Sequence, residues 1–100
     1  MDFSDIGGFG LASHEDVKMG IAKRFTQLRK AKSLSRSELS RRSAVAYASI
    51  ARFEKIGEIS LNSLVALCFA LEVQDDLTNI FSSDGRLTLE ELERSKGVKK

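Results

Sequence analysis

Apolar residues recur at helical spacing along most of this chain, in stretches separated by polar or glycine-containing breaks. Val17, Ile21, Phe25 and Leu28 lie three or four apart, which predicts an apolar stripe on a first helix ending near Lys32. Ser13 followed by Asp16 is a capping-box variant at its start, and the Glu15, Asp16 pair suits a helix N-terminus. Leu39 and Ser43 sit one turn apart, Val45 follows at once, and Ile50 and Phe53 are three apart. That is two short stripes with a phase break near Ala44, so a tight turn is predicted between two short helices. Ser40 is small enough to let the second helix approach. Gly57 can close that helix and Ser60 can cap the next, whose apolar positions are Leu61, Leu64, Val65, Cys68 and Leu71. A shorter fifth helix is predicted from Asp75 or Asp76, with Leu77, Ile80 and Phe81 at helical spacing. The pattern is all-α, with no strand.

The two ends read differently. Residues 1–12, with Gly7, Gly8 and Gly10, show no periodicity and suggest a flexible N-terminal arm, although Phe3, Ile6, Phe9 and Leu11 could dock on a partner or on the domain. Ser82 to Gly85 is a turn cluster. Thr88 to Glu91 repeats the capping-box pattern, with Leu89 and Leu92 on one side of a short helix, and Lys96, Lys99 and Lys100 form a basic tail. The expected organisation is an arm (1–12), a helical domain (13–82) and an extension (83–100).

One hundred residues suit a single domain with one core. No apolar run is long enough to span a bilayer and no cleavable signal is evident, so a cytoplasmic protein without membrane association is expected. The lone cysteine, Cys68, excludes an intrachain disulfide and sits among Leu64, Val65 and Leu71 as a packed thiol. His14 has no neighbour at ligand spacing, so no metal is expected. No catalytic constellation and no glycine-rich phosphate loop occur, which argues against an enzyme and against a cofactor.

The net charge of +2 hides a strong polarity. Lys23, Arg24, Arg29, Lys30, Lys32, Arg36, Arg41, Arg42, Arg52 and Lys55 crowd the middle of the chain against Glu38 and Glu54, whereas 56–95 is acidic. One end therefore suits a polyanion.

The spacing Arg36, Ser40, Ala44, Val45, Ile50, Phe53 resembles the helix-turn-helix of the lambda-repressor and Cro-like (XRE-type) family, and the similarity runs from about Val17 to Phe81. Arg36 stands where Gln is usual, Ala44 where Gly is usual, and Ala46 where a Ser or Thr cap is usual. The resemblance implies a five-helix, lambda-repressor-like DNA-binding domain with a short C-terminal helical extension, acting as a small transcriptional regulator, most simply a repressor. It places Tyr47, Ala48 and Arg52 at base-reading positions, and Arg36, Ser37, Arg41 and Lys55 against the DNA backbone. It also makes Arg29 and Glu54 a structural pair. A single domain of this kind makes few base contacts, so a homodimer on double-stranded DNA is expected, with helix five and the segment 88–95 as the first candidate interface.

Two alternatives stay open. The text from Gly57 to Phe81, with the LEELERS segment and basic tail, is similar to DNA-binding antitoxins of HipB type, which implies a HipA-like toxin kinase as partner. An all-α protein-interaction adaptor that keeps the fold but reads no DNA is the other.

Overall fold

Three serines set where helices begin. The Oγ atoms of Ser13, Ser35 and Ser60 each accept a hydrogen bond at 3.0 Å from the backbone N–H three residues on, at Asp16, Glu38 and Ser63. At Ser13 the box is reciprocal, because the serine N–H donates to Asp16 Oδ2 at 3.1 Å. Each contact satisfies a donor that the first turn of a helix leaves without an intrahelical partner.

The computed structural model describes residues 12–82, and within them the order is α1 (His14–Ala31), α2 (Arg36–Ser43), α3 (Tyr47–Ile56), α4 (Leu61–Ala70) and α5 (Gln74–Thr78). No strand occurs among the described residues. The N-terminal arm, the Thr88 to Glu91 capping pattern, Leu89 and Leu92, and the lysine tail lie outside them.

Helix α3 packs between α1 and α2, α2 also rests on α4, and α5 packs on α4. Ala22, Phe25, Leu39, Val45, Ile50, Phe53, Leu67 and Leu71 form the core. Phe25 and Phe53 meet edge to face, with ring centroids 5.1 Å apart at 63°, which fastens α1 to α3. Cys68 is buried, and burial, followed by the charge of Asp76, pushes its thiol pKa up, as suits a packed group rather than a nucleophile.

The burial pattern corrects the expected stripes in three places. On α1 the buried line is Ala22, Phe25 and Arg29, while Val17 and Ile21 are 38% and 43% exposed. The face turned to α3 needs a small residue where the helices touch, and Ala22 supplies it. On α4 the deepest residue is Leu67, which the predicted stripe omitted, and Leu61 is exposed. The sequence LNSLVALCFA is apolar around most of its circumference, so its own periodicity does not select a face. Helix α5 stops at Thr78 and buries no residue, which leaves Ile80 and Phe81 exposed beyond its end.

Candidate nucleic-acid interface

The corner between α2 and α3 is closed by short local bonds. Ala44 is left-handed (φ 65°, ψ 14°), and its N–H donates to the Ser40 carbonyl at 2.9 Å. The Ser40 hydroxyl reaches across to the Val45 carbonyl at 2.6 Å, and the Val45 N–H donates to Ser43 Oγ at 3.1 Å. Val45 is itself buried, so it anchors the turn in the core. A non-glycine residue in the left-handed region carries a Cβ penalty of about 1 kcal/mol. Ala46 precedes α3 and makes no side-chain cap.

This corner fixes how α3 presents itself. Ile50 and Phe53 point into the core, and Tyr47, Ala48, Arg52 and Lys55 lie on the exposed side. Tyr47 is 49% exposed, and the Arg52 side chain is 63% exposed. Helix α2 adds exposed Ser37, Arg41 and Arg42 next to them. The outward surface of the two helices is therefore cationic and rich in donors, with Tyr47 as its one aromatic ring.

Several of these cations are already engaged by carboxylates. Arg29 Nε and Nη2 grip Glu54 Oε2 and Oε1 at 2.7 and 3.0 Å, and Arg29 Nη1 donates to the Leu34 carbonyl at 2.8 Å. Arg36 Nε joins from α2, donating to Glu54 Oε1 at 2.9 Å. One carboxylate on α3 thereby ties down both α1 and α2. Burial works to raise the Glu54 pKa, but hydrogen bonds from Arg29 and then Arg36 outweigh it, and the carboxyl titrates below its ordinary value. Hydrogen bonds to Glu54 and then Tyr47 raise the Arg36 pKa further still. Arg36 is thus a strut between the motif helices, with its side chain 38% exposed, rather than an unencumbered surface cation.

Glu38 takes Arg42 at 2.9 Å and also Arg41, and these two bonds, Arg42 first, lower its pKa. The three- and four-residue separations make this pairing readable from sequence. The Arg52 contact is not readable in that way. Its Nη2 donates to Glu58 Oε1 at 2.6 Å, across six residues and past the end of the helix. Glu58 is a residue that sequence reasoning passed over, and the only local signal for it is the helix-closing glycine just before it.

Residues 24–81 match the Cro/C1-type HTH DNA-binding domain family. The chain belongs to that family. No curated protein matches it. The Cro/C1-type match begins within α1 and takes in the whole α2–turn–α3 unit, the unit that carries the cationic surface described above. Among the described residues no group of His, Cys, Asp and Glu could hold a metal ion, and no helix is long and apolar enough to cross a membrane.

Proposed function

We propose that this Cro/C1-type protein is a small cytoplasmic transcriptional repressor that binds a specific operator as a homodimer. The observation that carries the reading is that Tyr47, Ala48 and Arg52 lie on the solvent-facing side of α3, while Ile50 and Phe53 on its other side are buried. With α3 in the major groove, Arg52 can bond the O6 and N7 of a guanine, Tyr47 offers a ring and a hydroxyl, and Ala48 can touch a thymine methyl. Ser37, Arg41 and Lys55 contact phosphates on either side, and Arg36 contributes what its bond to Glu54 leaves available.

The second copy is assigned to the apolar surface that the described fold leaves uncovered. Ile21, Leu77 and Ile80 line an open hollow between α1, α4 and α5, and Phe81, the residue after Ile80, is exposed. A homodimer there predicts an inverted-repeat operator with half-sites about one helical turn apart.

Selection of bound duplexes from a random pool, followed by sequencing, tests the reading. An inverted repeat supports it. Recovery of single half-sites removes the homodimer, co-purification of a kinase turns the protein into an antitoxin, and affinity without salt dependence leaves the adaptor.

A further inference from the structure

We propose that Glu58 is a specificity-determining positioning residue: by holding the Arg52 guanidinium at one end of α3, it keeps that cation aimed at base edges and away from phosphates. The inference rests on the DNA-binding reading of α3 and adds to it a residue outside the helix-turn-helix.

Glu58 is placed by tertiary structure, not by helical spacing. Gly57 takes a left-handed conformation at φ 75°, which ends α3. A Cβ on Gly57 would sit 2.8 Å from Lys18 Cγ and 3.2 Å from the Lys18 carbonyl, so this turn is seated directly on α1. From there Glu58 reaches two cations with its two oxygens. Oε1 accepts from Arg52 Nη2 at 2.6 Å, and Oε2 lies 3.5 Å from Lys18 Nζ. Lys18 is in turn held by Glu15 at 3.3 Å. Arg52 is thus the exposed terminus of a run of alternating charges that starts on α1.

This arrangement bears on readout. A hydrogen bond from Arg52, then the charges of Arg52 and Lys18, keep Glu58 below the ordinary carboxylate range, so it is ionised at neutral pH. A phosphate approaching Arg52 meets a carboxylate already bonded to it and must displace it. A guanine edge uses donors in the guanidinium plane and carries no full charge, so it suffers less from that neighbour. Penalising the phosphate more than the base widens the gap between operator and random DNA.

The test compares the full chain with Glu58→Gln on two duplexes, one selected from a random pool for tight binding and one of scrambled sequence, each across a salt titration. Asp75→Asn makes the same change of charge on α5, which packs on α4 rather than on α3, and controls for net charge. Glu58→Gln should tighten binding to scrambled DNA by about two- to fivefold, the effect of freeing one exposed ion pair. Its salt slope on that duplex should steepen by about one phosphate contact, with no matching gain on the selected duplex. An unchanged ratio between the duplexes, or an equal change in Asp75→Asn, overturns the inference while leaving DNA binding intact. Absence of salt-dependent binding in the unaltered protein would instead remove the reading beneath it.

Discussion

Arg29 and Glu54 lie 25 residues apart in sequence and meet at 2.7 Å, with 7% and 2% of their side chains exposed. The pair joins the last turn of α1 to the last turns of α3, and Arg36 makes it a triad. Removing the shared carboxylate leaves the Arg29 guanidinium buried with only the Leu34 carbonyl as a polar contact. Glu54→Ala should therefore cost about 3 kcal/mol, read from the denaturation midpoint, whereas Arg36→Ala at the half-exposed position should cost about 1 kcal/mol. A loss under 1 kcal/mol for Glu54→Ala would show that the triad does not hold the helices together.

The same triad sets a dependence on acid. Glu54 titrates below the ordinary carboxylate value of 4.5, so in acid the unfolded chain takes up its proton first. Its stabilising contribution is complete above about that value and disappears as pH falls through the lower, folded value. Melting temperature should drop on acidification below pH ~4.5. Glu38 and Glu58 shift in the same direction, so the diagnostic quantity is the difference from Glu54→Gln, whose profile should be flatter. Parallel profiles would assign the acid sensitivity to other groups.

Two left-handed positions should respond oppositely to the exchange of Ala and Gly. Ala44→Gly relieves a strained Cβ at φ 65° and should stabilise by about 1 kcal/mol, raising the melting temperature by about 4–8 °C. Gly57→Ala introduces that strain at φ 75° and also crowds Lys18, so it should destabilise by 1 kcal/mol or more, on the order expected for such a position. Thermal melts that shift in the same direction would contradict the geometry of one corner.

On DNA the two ends of the recognition surface should separate. Arg52→Ala should lose about 1–3 kcal/mol on a selected duplex and blur preference at one base pair. Lys55→Ala should weaken all duplexes alike and reduce the salt slope by about one contact. Equal losses for Arg52→Ala on selected and scrambled DNA would move Arg52 to the phosphates. Arg36→Ala is a poor probe of phosphate contact, because it also breaks the bond to Glu54.

Whatever depends on neighbours a few residues away was settled within the sequence. Ser13 and Ser60 start helices because a serine oxygen reaches an N–H three residues on, and the break at Ala44 marks the corner because one residue must leave the right-handed helix there. The buried anchors Leu39, Val45, Ile50 and Phe53 were legible for the same reason. Tertiary structure alone chose which side of α1 and α4 went inside. Val17 and Ala22 on α1, like Leu61 and Leu67 on α4, all suit an apolar stripe, and only the neighbouring helix decides between them. It also placed Arg36 on Glu54 and Glu58 on Arg52. Ion pairs between separate elements depend on the angle at which those elements meet, and no spacing along a single chain encodes that angle.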